Sequence, residues 1–321
     1  MGGDVCAARL VREQPDRIRS LLRDLSDTRF GQRVLRFESE LSLMPPTAAL
    51  TSALFEAFGY SRNREQMLRL ARAVDWTSFA PRLHRLDRDS RTRLTLAALL
   101  GLSGWMPLRP SHASIAHLAP SEVTRLETIW EAEHASWAHA ALTGTIWDIA
   151  RVRPANHPVA HVATLAVLLG GHGTELVPVL LNAIRDKLPL EEILLQIVSG
   201  TSAPPLGADR AIAIAASAVL PFAVAYARLY GDDALEDDAL RAWGALPAGS
   251  PSQSARRARQ QVAGDVRITG FRERGAQGLL WLDRHYCGPR RCYECPIARA
   301  VVVDELAQPN SSMNTGSSSA C

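Results

Sequence analysis

Apolar residues along this chain recur at intervals of three and four, and no run of four or more keeps the strict apolar/polar alternation of a half-buried strand. After Pro15-Asp16 the spacing is carried by Ile18, Leu21, Leu22, Leu25 and Phe30, and Val34, Leu35 and Leu41 continue it past a turn placed at Gly31. Pro45-Pro46 starts the next segment, with Leu50, Leu54, Phe55 and Phe58 on one face and Gly59 as its stop. Ser61 or Asn63 can then cap a helix carrying Met67, Leu70, Ala71 and Val74. Two more helical patterns, through Leu83-Leu86 and Leu94 to Leu102, lead to the Gly101-Leu-Ser-Gly104-Trp turn. Pro120-Ser121 precedes an aromatic-rich face of Leu126, Ile129, Trp130, Trp137, Ala140 and Ala141.

The pattern breaks hardest at Arg151-Val-Arg-Pro-Ala-Asn-His-Pro158. Two prolines four positions apart each remove a donor and push the preceding residue towards extended geometry, so the amphipathic segment Glu122 to Trp147 must end before them. Pro158 suits the first turn of a new helix, where a missing N–H costs nothing. Three apolar segments follow at Val159–Leu169, Leu176–Ile184 and Leu190–Val198, with breaks short enough to imply antiparallel neighbours. Ala211 to Ala227 is apolar on every face but short for a membrane span and interrupted by Pro221, which predicts a central core helix kinked at the proline. The whole reads as all-α: about a dozen helices in one layered body, with halves 1–150 and 151–303 meeting near the break. A polar tail, 304–321, is expected to be disordered.

Composition agrees with a globular protein: of 321 residues 47% are apolar and 21% charged. The net charge is only +3, yet residues 251–300 hold ten arginines against four carboxylates. Nearly every cation is arginine, Lys187 being the one lysine. The N-terminus lacks the apolar stretch of a signal peptide, so the expectation is a cytoplasmic protein without membrane association. Five cysteines, an odd number, do not make a secreted disulfide framework.

Three places could carry chemistry. In His285-Tyr-Cys287-Gly-Pro-Arg-Arg-Cys292-Tyr-Glu-Cys295-Pro, Cys292 and Cys295 have the spacing that lets two thiolates reach one soft metal around a tight turn, and Cys287 is near enough to be a third ligand. Zinc or an iron–sulfur cluster would suit the set; the fourth ligand is open among His285, Cys6 and Cys321, and simple packing of the thiols is the other reading. At the central break, Arg151, Arg153 and Asn156 could bind an anion or could satisfy carbonyls and carboxylates of a structural corner. Arg290 and Arg291, with Arg256, Arg257 and Arg259, form a basic end able to meet nucleic-acid phosphates or an acidic partner. There is no glycine-rich phosphate loop, G-x-S-x-G elbow or H-E-x-x-H pair.

Several blocks, in order, resemble a bacterial family known as domain of unknown function 2851. They are Phe58-Gly-Tyr-Ser-Arg-Asn63, Gly101-Leu-Ser-Gly-Trp105, Trp147 through Arg151 to Pro158, Leu206-Gly207 with Pro221-Phe222 and Ala225-Tyr226, and Gln277-Gly-Leu-Leu with Tyr286-Cys287, Cys292 and Cys295-Pro296, covering roughly 10–303. His161 stands where the resemblance implies arginine, and Ser217 where it implies asparagine. It also implies a preceding, nuclease-like N-terminal domain that this chain lacks, which could be encoded separately as a partner. The expected function is a non-catalytic helical binding module for nucleic acid or an acidic partner. The alternatives are an enzyme, nuclease-related, with an anion site at the Arg151–Asn156 corner, or a remainder needing the missing domain.

Overall fold

The structure is a computed structural model that describes residues 5–59, 62–137, 142, 147–201 and 203–307. Every regular element among the described residues is helical and none is a strand, as the three- and four-residue periodicity requires. Of the tail expected to be disordered, 304–307 instead ends the helix Pro296–Ala307, where Asp304 is buried and accepts from Gln14; its remainder, 308–321, with Ser61, Ala140 and Ala141, lies outside the described residues.

Packing divides the chain into two units, one made of 1–31 with 250–321, the other of 32–249. Residue 151, where the periodicity places the division, falls inside the second. The first division comes within a single helix, Pro15–Leu41, which runs through Gly31 without the predicted turn. A lone glycine costs about 1 kcal/mol relative to alanine in a helix interior. The buried residues on either side, Phe30 and Val34, supply more than that by packing.

In the smaller unit, helices Ala8–Glu13, Gln253–Ala263, Glu273–Leu282 and Pro296–Ala307 join the first half of Pro15–Leu41. Their buried faces meet through Leu10, Ile18, Leu22, Val262, Leu282 and Ile297. Gly278 is required at the crossing with Pro15–Leu41, because a Cβ there would collide with the Leu22 carbonyl. Ser252 caps Gln253–Ala263 by accepting from the Ala255 N–H at 3.2 Å.

The larger unit is built around Pro158–His172, in which every residue from Pro158 to Gly171 is buried. Its closest neighbour is Arg88–Leu102. Gly170 lets the two backbones approach, since a Cβ would meet Thr92 Cα and the Arg91 carbonyl. The other central helix spans Ala208–Tyr230, with 72% of its apolar window buried inside the protein. It is long and apolar enough to cross a membrane by length and composition; here it is a core helix. Its ladder widens to a π-turn over Ala215–Val219, two residues ahead of Pro221, which has no N–H to give.

Candidate functional site

The central break forms as the prolines dictate. Pro154–Asn156 is a single 3-10 turn, and His157 caps the following helix by accepting from the Val159 N–H at 3.3 Å. The residues that fasten this corner are not its own arginines. Asn63, whose side chain makes no capping bond to its own helix, instead pairs reciprocally with the Asp148 backbone: Nδ2 donates to the carbonyl at 3.0 Å and Oδ1 accepts from the N–H at 2.8 Å. Arg62 donates to the Ala150 carbonyl at 2.9 Å and reaches the Asp148 carboxylate at 3.5 Å. Arg151, with φ of +55°, Arg153 and Asn156 are all exposed. They make no side-chain hydrogen bond or ion pair among the described residues. A local pattern of charges cannot reveal that the clamp comes from 85 residues upstream.

Behind the corner sits an aromatic group. Trp105 lies 5.9 Å from Trp147, 4.7 Å from His112 and 5.5 Å from His157, measured between ring centroids. Trp147 donates its indole N–H to the Ser103 carbonyl at 3.0 Å. Burial lowers the pKa of both His112 and His157, with Arg109 adding to the effect at His112 and His112 adding to it at His157. One layer deeper, His161 packs its ring against Phe58 and lies 3.2 Å from a guanidinium nitrogen of the buried Arg210. The cation also stands over the Phe58 ring at 5.4 Å. Burial drives the His161 pKa down to about 4 against backbone hydrogen bonds at Ala155 and Phe58, and lowers that of Arg210 to about 9. A neutral imidazole is therefore what the arginine meets. Ser217, the other departure from the family pattern, bonds back to the Ala213 carbonyl of its own helix at 2.6 Å.

An open groove of about 510 Å³ lies elsewhere in the larger unit and is lined by Arg82, Arg85 and Arg93 with Glu133. Arg82 is paired to Glu133 at 2.7 Å and Arg93 to Glu122 at 2.8 Å, so most of its positive charge is already neutralised.

The basic end divides into structural and exposed arginines. Arg257 clasps the buried Asp283 with two bonds of 2.8 and 2.5 Å, Arg274 pairs with Asp27, and Arg291 pairs with Glu294 three residues on. Arg256, Arg259, Arg267, Arg284 and Arg290 are exposed and form no ion pair among the described residues. Arg256 and Arg259 stand one turn apart on the helix that Arg257 fastens to Asp283, the neighbour of Arg284. Gln253–Ala263 thus packs on the Asp283–Cys287 turn, which carries Arg284 and leads into the segment of Arg290 and Arg291.

That packing also gathers the cysteines. Cys287 closes the Asp283–Cys287 π-turn, and Cys292 and Cys295 lie on and just after the 3-10 turn Cys292–Glu294. Cys6 arrives from the other end of the sequence: its N–H donates to the Gln261 carbonyl at 2.8 Å, and that of Ala7 to Val262 at 3.0 Å. Burial raises the Cys6 pKa to about 11 and that of Cys287 to about 12, with neighbouring thiols adding to both. His285 is stacked on Trp281, 3.8 Å between centroids, four residues back on the same helical stretch. Among the described residues no group of three or more His, Cys, Asp or Glu side chains is placed so that it could hold a metal ion.

A family model described as "Protein of unknown function (DUF2851)" matches residues 5–251. The match takes in the N-terminal part of the chain, so the expectation that an N-terminal domain is absent is not borne out. It stops before the Gln277 to Pro296 block, which the resemblance had included. No curated protein and no solved structure matches the chain.

Proposed function

The chain belongs to the DUF2851 family of proteins of unknown function, and from that premise we propose that it is a non-catalytic helical binding module whose smaller unit takes the phosphate backbone of a nucleic acid. The observation that carries this reading is an asymmetry of charge. The segments forming the smaller unit hold sixteen arginines against eleven carboxylates, a net of +5, while the larger unit holds twenty cations against twenty-two carboxylates, a net of −2. Arg256, Arg259, Arg267, Arg284 and Arg290 are exposed and make no ion pair among the described residues. Their charge is available to displace counterions from phosphates. Arginine suits the task because its planar fork matches phosphate oxygens.

Binding of a labelled duplex and a labelled single strand, measured across a salt series, tests the reading. Arg256, Arg259 and Arg290 changed together to Ala are expected to weaken binding and to flatten the plot of log affinity against log salt by about three units. Thermal stability is expected to stay nearly constant, since exposed substitutions without partners change little. Absence of salt-dependent binding to either strand form at low ionic strength would defeat the proposal. A second reading has its own observation: Arg151, Arg153 and Asn156 are exposed at the corner, where a small anionic substrate could reach them. Arg151→Ala with Arg153→Ala separates the two, because it leaves the smaller unit's salt slope untouched if that unit is the binding surface.

A further inference from the structure

We propose that Cys6, Cys287, Cys292 and Cys295 are the four ligands of a soft-metal centre, a zinc ion or an iron–sulfur cluster, in the smaller unit. The proposal is independent of nucleic-acid binding. Cys6 answers the question of the fourth ligand, which the sequence leaves among three candidates. His285 is occupied by its stack on Trp281, and Cys6 is held by backbone hydrogen bonds at the end of Gln253–Ala263, the helix that packs on the Asp283–Cys287 turn. Cys295 is part of the smaller unit's core, Cys6 and Cys287 pack against the same cluster, and Cys292 is joined to Cys295 through one turn of backbone.

The local backbone serves this convergence. Gly288 follows Cys287 at a position where a Cβ would press on the Asp283 carbonyl, and Arg290 takes a φ of +59°. The chain is thereby turned back so that the Arg291 N–H meets the Tyr286 carbonyl at 2.8 Å, and Cys295 N–H the Cys292 carbonyl at 3.1 Å. Cys287, Cys292 and Cys295, separated by four and then two residues, have the spacing of the three clustered ligands of plant-type two-iron clusters, whose fourth cysteine follows them, whereas Cys6 precedes them here. Packing accounts for Cys6, Cys287 and Cys295 but not for Cys292, which is exposed. Four thiolates and no oxygen ligand select zinc or iron–sulfur chemistry over magnesium or calcium. As they stand the four thiols do not form a metal-holding group, so ligation requires them to move, and Cys292 is the exposed member. Ligation replaces each thiol proton, so protons are released on binding and affinity rises with pH.

The test uses the full chain. Protein purified anaerobically is assayed for iron and zinc, and the metal-stripped chain is titrated with Co²⁺ and Zn²⁺. About one centre per chain is expected, with either the visible absorption of a thiolate–iron cluster or, for the stripped chain, the sulfur-to-cobalt charge-transfer bands of a tetrahedral thiolate site. Alkylation of the parent chain with and without Zn²⁺, read peptide by peptide, is expected to show protection of Cys6, Cys287, Cys292 and Cys295 and continued labelling of Cys321. Cys6→Ser is expected to lower the affinity for Co²⁺ at least tenfold, as is Cys292→Ser, whereas Cys321→Ser leaves it unchanged. Should Cys6→Ser fail to fold, the protection pattern of the parent chain decides. Labelling of Cys6 at the same rate with and without Zn²⁺, or no charge-transfer band on Co²⁺ addition, overturns the proposal.

Discussion

Burial of His161 ties the stability of the larger unit to pH. The folded chain holds this imidazole at a pKa of about 4, against 6.5 when exposed, so between those values the unfolded chain binds the proton and the folded one does not. The stabilisation is complete above 6.5 and is lost as pH falls towards 4. A shift of this size amounts to about 2 kcal/mol by pH 5. His161→Gln, which keeps an acceptor within reach of Arg210, is expected to lose about 2 kcal/mol less than the parent between pH 7 and pH 5, as read from urea midpoints. Equal losses in the two proteins would show that His161 is not the titrating group. Such a pairing was not legible in the sequence: His161 stands out only as a departure from the arginine the resemblance implies, and Arg210 lies 49 residues away. The corner was legible because two prolines act on their immediate neighbours, whereas its clamp by Arg62 and Asn63 is a long-range contact. Cys287, Cys292 and Cys295 stand near one another for the same local reason, whereas the approach of Cys6 to Gln261 is a long-range contact.

Among the elements, Ala208–Tyr230 follows its sequence pattern most closely. Its run of alanines leaves no polar face, and Ala211, Ala215, Ala218, Ala223 and Ala225 are fully buried. Where the pattern predicts a kink at Pro221, the helix absorbs the missing donor one turn earlier as a π-turn. Ala216, within that turn and 1% exposed, has no room for a larger side chain. Ala216→Leu is expected to destabilise by about 1–3 kcal/mol through overpacking. An unchanged denaturation midpoint would place this helix at the periphery of the fold. Pro15–Leu41 is the counter-example. Local preference reads Gly31 as a stop, yet the apolar stripe continues on both sides of it, and tertiary packing outweighs the preference of one residue.

On the scale of the whole molecule, periodicity predicts helices but not which of them pack together. That is why a division into sequential halves gave no hint of a unit assembled from both ends. Residues 5–13 bring Ala7, Leu10 and Val11 into the smaller unit's core, each 2% exposed. Their removal is expected to abolish slow amide exchange across Gln253–Ala263 and Glu273–Leu282 while Pro158–His172 stays protected. Uniform loss of protection throughout the chain would mean that the two units unfold as one.

Because the smaller unit is closed by residues 250–307 upon residues 5–31, its first helices leave the ribosome some two hundred residues before their partners exist. The intervening segment can reach its own core during synthesis, since both of its central helices are complete before residue 250 is added. Until then Leu10, Ile18 and Leu22 are apolar residues in waiting, exposed to whatever holds nascent chains. Closure of the smaller unit therefore waits for residues 250–307, and a chain cut short before them would have its larger unit finished and its basic surface unformed.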